Sequence, residues 1–305
     1  MRRYNGTPIK TIKAINRFFP YVMPSRNGSV VYLDVNLEME NAMAYLEKIN
    51  KDRPKEERVK IFDLWLAALH RMYLERPRLN RFIIGNRYYQ RNEHVYFFVS
   101  KREISDAADE RLIGLQLGPK DGIFEVSKKV RGDIKESKTG TSENTDEKAV
   151  EFLMKLPRWF VRFFAKFVYK FLDNRDMMPA FLAETDSMHG SAYIANLGSF
   201  GVQHPPFHHL YDYGDISLFF VLGGYKKEAV VDQETGEISV KTVIPMKVSI
   251  DERIADGVYF NNSFHLFNDF LQNPEKLETF PEDQKDPYPH VKFMRDGSRK
   301  VSSKQ

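Results

Sequence analysis

A chain of 305 residues with 42% hydrophobic and 29% charged side chains can bury a sizeable core, so a folded globular protein is expected. It has no cysteine, which excludes disulfides, thiolate nucleophiles and thiolate metal sites and fits an intracellular, cytoplasmic location. The net charge of +4 suits an anionic cofactor or membrane without arguing for nucleic acid, and no zinc-finger or RNP-type pattern occurs.

In chain order, the basic segment 1–27 lacks the uninterrupted apolar core of a secretory signal and is read as an N-terminal arm. Alternation in "GSVVYLDVNLEM", 28–39, predicts a strand. Helical spacing follows over 39–52 and again over 58–76, the second helix ending before Pro77. "RFIIGNRYYQ" and "HVYFFVSKRE" are β-rich runs separated by polar residues, consistent with a hairpin. The polar, aperiodic stretch 131–148 predicts an exposed connection.

Residues 149–172 predict a helix with Lys155, Arg158, Arg162, Lys166 and Lys170 on one stripe and Trp159, Phe160, Phe163, Phe164, Phe167 and Phe171 opposite. That pattern fits a core helix with a solvated charged face, or a helix lying on an anionic membrane surface. No run of about 18 apolar residues is present to cross a membrane. From 189 onward the pattern is β-rich, with "DQETGE" marking a turn, and a helix is predicted after Gly257. The tail 276–305 predicts extended or disordered chain. No internal repeat is visible, and helices mixed with separated strands point to an α/β sandwich.

Three stretches, "SAYIANLGSFGV" (191–202), "FVLGG" (220–224) and "PMKVSIDERIADG" (245–257) before a helix, carry a family resemblance by their order and spacing. They resemble the catalytic domain of the dihydrolipoamide acyltransferases of 2-oxoacid dehydrogenase complexes. "PRLNRFIIGNRYYQ" and the strand at 28–37 extend the likeness more weakly, so that it covers about 10–275, within one domain over 1–275. The resemblance implies a two-layer α/β sandwich like chloramphenicol acetyltransferase, with a mixed sheet. It also implies a homotrimer with active sites in channels between subunits, larger assemblies, and coenzyme A or acyl-CoA as ligand. The family's lipoyl and subunit-binding domains have no counterpart before the resemblance begins, so a core subunit with its own swinging arm is not expected.

In that family the last motif reads Asp-His-Arg-x-x-Asp-Gly, and its histidine takes the proton of the attacking thiol. The matching residues here are Asp251, Glu252, Arg253, Asp256 and Gly257, so the frame survives without the histidine. The family's serine, which donates to the oxyanion, is matched by Ala195, with Asn196 beside it. Losing one such donor typically costs about 10²–10³ in rate. A glutamate at its ordinary pKa is a weak base toward a thiol, the transfer being uphill by about four pKa units or ~6 kcal/mol. Burial narrows that gap. Two readings follow: a catalytically degenerate binding or scaffold protein, or an active acyltransferase with Glu252 as base and Asn196 or a backbone N–H at the oxyanion. An ion pair of Glu252 with an Arg or Lys, within the chain or across an interface, is the structural alternative.

Other motifs are weaker. "HPPFHHLYDYGD" places His204, His208, His209 and Asp212 close together, but its prolines argue for a loop and no metal is expected there. His70 and His265 read as helix residues with packing or solvent roles. "LGSFG", "LGG" and "GPKDG" are turn or strand-end glycines and match no phosphate-binding fingerprint.

Overall fold

The alternating run from Val30 begins strand β2 (Val30–Glu38), which joins a sheet whose other members are assembled from distant parts of the chain. They are β5 (His94–Lys101), β6 (Glu110–Leu117), β7 (Ala192–Asn196), β8 (Leu218–Leu222), β9 (Lys226–Val231) and β10 (Ile238–Asp251). The computed structural model describes residues 3–101, 110–139, 153–178, 186–232, 234–279, 291–293 and 299–301. The sheet order is β2-β10-β8-β7-β5-β6, with β9 on β10. β7 runs parallel to both β5 and β8, and the other pairs are antiparallel, giving the expected mixed sheet. The 14-residue β10 is its spine, pairing with β9, β8 and β2.

Helices α2 (Glu40–Asn50), α3 (Ile61–Glu75), α4 (Ile123–Thr139) and α6 (Gly257–Gln272) lie on one face, with α5 (Arg158–Lys166) apart from them. The core between the layers joins Trp65, Leu69, Met72 and Phe267 to Ile194, Phe220, Met246, Val248 and Ile250. Alternate residues of the same strands, Tyr193, Phe219 and Val221, face the other way onto the 205–216 segment. The result is the expected two-layer sandwich, with aromatic contacts such as Trp65–Phe220 and Trp65–Phe267 prominent in its core.

Four local expectations need correction. "RFIIGNRYYQ" is a hairpin by itself: β3 (Arg81–Ile84) and β4 (Arg87–Arg91) join through Gly85 and Asn86, both left-handed at φ 55° and 60°. Two consecutive left-handed residues make the primed turn that suits strand twist. "HVYFFVSKRE", as β5, therefore pairs with β6 and β7 instead. The N-terminal arm contains β1 (Gly6–Pro8), which pairs with β4, and α1 (Ala14–Val22).

Residues 131–139, expected in a connection, continue α4, whose Val126 and Val130 are buried and whose Ile134 packs against the core. Its apolar stripe starts upstream and reaches Ile134 within the polar stretch; 140–148 lie outside the described residues. The helix expected over 149–172 is interrupted: Leu153 and Met154 are helical, the chain turns over 155–157, and α5 starts at Arg158 after Pro157, which takes an extended conformation (φ −55°, ψ 140°) at its N-cap. It continues through a π-type turn, Phe167–Leu172, and a 3₁₀ turn, Asp173–Arg175. No residue of α5 is buried, so the core-helix reading does not hold. The tail begins later than 276: Leu277 is buried, Tyr45 donates to Glu278, and Arg71 donates to the Lys276 and Thr279 carbonyls. Val291–Phe293 pairs with Arg299–Val301, and the rest of 280–305 lies outside the described residues.

Candidate functional site

β10 ends at Asp251, and the chain turns through Glu252–Ile254 into α6. Asp251 is fully buried and grips Arg253 in a fork: Oδ1 accepts from Nε at 2.8 Å and Oδ2 from Nη2 at 2.7 Å. Oδ1 also accepts from the Arg253 backbone N–H at 3.1 Å, closing the turn. The remaining Arg253 nitrogen, Nη1, donates to the Met23 carbonyl at 2.7 Å, which ties the turn to the end of α1. A bidentate, charge-assisted pair of this kind fixes orientation as well as charge.

Arg26 adds a second buried cation, its Nε 3.9 Å from Asp251 Oδ2. Its two Nη groups donate to the carbonyls of Tyr211 and Gly214, each at 2.8 Å. Tyr88 donates to the carbonyls of Asn16 and Arg253 at 2.8 and 3.2 Å, a further tie between α1 and the turn. Asp256 acts separately from Arg253. It caps α6 by accepting from the Tyr259 N–H at 2.9 Å and faces Arg78 at 3.7 Å.

Glu252 sits in the middle of this frame and differs from its neighbours. It is exposed, and among the described residues its side chain has no hydrogen bond or ion pair. The ion pair offered by the sequence is therefore not formed with any described residue of the chain, and neither is the burial a carboxylate base would use. Beside it, α1 leaves Ile15, Phe18, Tyr21 and Val22 more than half exposed.

Ala195 lies on β7, in the row Ala195–Val221–Lys247 across β7, β8 and β10. Asp251 is four residues farther along β10, which places it about 13 Å along and about 10 Å across the sheet at ordinary strand spacings. One chain thus holds the two chemical positions roughly 16 Å apart. Asn196 is half-buried; its backbone carbonyl accepts from Ser199 Oγ at 2.7 Å, and its side chain has no partner among the described residues. The loop after it is pressed against the "LGG" stretch. A Cβ at Gly198 would lie 2.4 Å from the Gly223 carbonyl oxygen, and Gly223 and Gly224 donate to Pro245 and Val202.

The remaining histidines do not gather into a site among the described residues. His208 stacks on Phe219 with centroids 4.0 Å apart, Asp212 accepts from the Asn27 N–H, and His204 and His209 are exposed. No group of three or more metal-binding side chains occurs among the described residues. His70 is buried, its Nε2 2.7 Å from the Gly118 carbonyl oxygen, and burial pushes its pKa down to about 4. His265 is exposed on α6.

Two features escape sequence reasoning. Arg26 falls in a segment that shows only a turn signal, so nothing marks it as a partner of Asp251. The second is a buried network around Asp215, which meets Arg91 at 2.6 Å, Asn5 at 2.6 Å, His189 at 3.0 Å and Arg3 at 3.6 Å. Burial alone would raise the Asp215 pKa. Arg91, then His189 and Arg3, outweigh that and hold it well below the usual carboxylate range. The network locks the arm and the 186–189 loop that leads into β7.

Residues 179–279 match the family model described as 2-oxoacid dehydrogenases acyltransferase (catalytic domain). No curated protein matches the chain by sequence. Among solved structures, dihydrolipoamide acetyltransferase of Azotobacter vinelandii is 12% identical with a TM-score of 0.55, the match covering 88% of this chain and 94% of that one. The catalytic mechanism of that enzyme has been examined through a serine, a histidine and an asparagine, the last two being four positions apart. A probable dihydrolipoamide acetyltransferase of Listeria monocytogenes is likewise 12% identical, with a TM-score of 0.54 and coverage of 88% and 95%. A chloramphenicol acetyltransferase is 11% identical, with a TM-score of 0.53 and coverage of 87% and 99%. Residues 179–279 thus carry the signature of the 2-oxoacid dehydrogenase acyltransferase catalytic domain, within a chain whose fold is that of dihydrolipoamide acetyltransferase cores and chloramphenicol acetyltransferase.

Proposed function

We propose that this protein is a catalytically degenerate acyltransferase-fold protein, cytoplasmic and trimeric, that binds a coenzyme A thioester without transferring its acyl group. The observation that carries this reading is the contrast inside one turn. Asp251, Arg253 and Asp256 keep the frame by buried fork and helix cap, while Glu252 stands exposed at the base position with no partner among the described residues. In this reading Ala195, Glu252 and Asp256 stand where the Azotobacter enzyme has its serine, histidine and asparagine, the last two keeping the four-residue spacing. Ala195 has no donor for an oxyanion. Two chemical positions lost, with the scaffold around them intact, fit selection for binding.

The separation of Ala195 and Glu252 within one chain and the exposed apolar face of α1 beside Glu252 support the trimer. A neighbouring subunit that covers α1 would bring its own Ala195 loop toward Glu252. A second reading is an active coenzyme A-dependent acyltransferase in which that covering buries Glu252 and makes it the base. The side chain of Asn196, without a partner among the described residues, favours it as a substitute oxyanion donor.

Calorimetric titration with coenzyme A and acetyl-CoA, alongside sedimentation equilibrium, tests the binding reading. The expected result is a trimer with saturable binding near micromolar affinity, about −8 kcal/mol. A monomer, or no heat at millimolar ligand, overturns it.

A further inference from the structure

Segment 158–175 is one continuous helical rod joined to the body mainly at its C-terminal end. There Arg3 meets Asp173 at 2.6 Å, and Tyr89 donates to Asp176 at 2.7 Å. Along the rod, two stripes run side by side at four-residue spacing. One holds Arg158, Arg162, Lys166 and Lys170, all exposed. The other holds Trp159, Phe163, Phe167 and Phe171, exposed by 71%, 63%, 41% and 38%. Phe163, Phe167 and Phe171 stack successively, with centroids 6.1 and 5.3 Å apart, so the aromatic stripe is already arranged as a surface.

Exposed aromatic area on this scale needs a cover. The charge pattern says which. Residues 152–172 contain five Lys or Arg and no Asp or Glu, although about one residue in seven of the whole chain is acidic. A second copy of the rod would bring cations against cations. An anionic lipid surface accepts both stripes, with the rings entering the headgroup boundary and the basic side chains reaching phosphates beside them.

We propose that the 158–172 rod docks the protein on the surface of an anionic lipid bilayer. The buried Arg3–Asp173 tie makes that contact hold the whole body and not a loose helix. Among the described residues no helix is long and apolar enough to cross a membrane, so the contact is peripheral. The inference stands apart from the chemistry at Glu252 and Ala195.

The full chain has two tryptophans, Trp65 at 1% exposure and Trp159 at 71%, so a change in emission on binding reports Trp159. Flotation with phosphatidylcholine vesicles, with and without phosphatidylglycerol, is paired with that emission. Binding only to the phosphatidylglycerol vesicles, with a blue shift and weakening at about 0.15 M salt, is the expected result. Arg162→Gln with Lys166→Gln should weaken partitioning about 30-fold, given the usual contribution of each basic residue at an anionic surface. Trp159→Phe should keep flotation and lose the shift. These side chains are exposed, so circular dichroism of each variant should match the wild type. No binding to phosphatidylglycerol vesicles at low salt overturns the proposal. So does equal binding to pure phosphatidylcholine, or self-association that Phe163→Ser abolishes in the absence of vesicle binding.

Discussion

Replacing Arg253 with methionine removes one member of a buried ion pair and leaves Asp251 with no exposure to water. Among the described residues, the only other cation paired with it is Arg26, at 3.9 Å and already committed to carbonyls on neighbouring loops. Breaking a buried pair from one side typically costs 3–5 kcal/mol, roughly the range expected here. The Met23 carbonyl also loses its donor, which loosens α1 from the turn. At about 2–4 °C per kcal/mol for a domain of this size, Arg253→Met should lower the melting temperature by about 10 °C. Glu252→Gln is the matched control, one residue away but exposed, and should stay within about 0.5 kcal/mol of wild type. Urea unfolding followed by circular dichroism measures both. A loss below about 1 kcal/mol for Arg253→Met would refute the buried fork as the element that preserves the turn.

Three further outcomes follow from the geometry. His70 is held neutral in the core with its pKa lowered to about 4, so the unfolded chain binds the proton first as pH falls. Stability should therefore drop by roughly 3 kcal/mol between pH 6.5 and 4, and His70→Gln should flatten that slope in pH-dependent urea midpoints. Asp215 has the same sign, in a lower pH window. Its depressed pKa contributes stability above the ordinary carboxylate range, which is lost only below about pH 4, so the two windows separate. Gly198→Ala should destabilise by about 2 kcal/mol, because the added Cβ meets a backbone carbonyl that has no room to move, and scanning calorimetry would detect it.

Much of the sandwich is legible in the sequence because period-two and helical patterns coincide with buried faces, as in β2, α3 and β10. The motif turn is legible too, since a fixed order of short stretches carries more information than propensity. What the pattern does not carry is long-range partnership. Arg26 and Asp251 are distant in sequence, and so are Arg3, Arg91 and Asp215; such pairs leave no periodic trace. The helix at 158 is misread at its start because amphipathic spacing runs on through Pro157, where the backbone turns extended. Its burial is misread for a different reason. A stripe of aromatic side chains looks the same whether a core or another surface covers it, and only the fold places Trp159 and Phe163 outside. The separation of Ala195 from Glu252 is likewise a property of strand order, which motif spacing does not encode.

The most direct measurement is steady-state transfer of the acetyl group from acetyl-CoA to dihydrolipoamide, by the wild type and by Glu252→Gln side by side. If the frame survives without its chemistry, the two proteins should be indistinguishable, with no turnover above the uncatalysed rate. Robust turnover by the wild type, lost in Glu252→Gln, would contradict the degenerate reading and make Glu252 a working base.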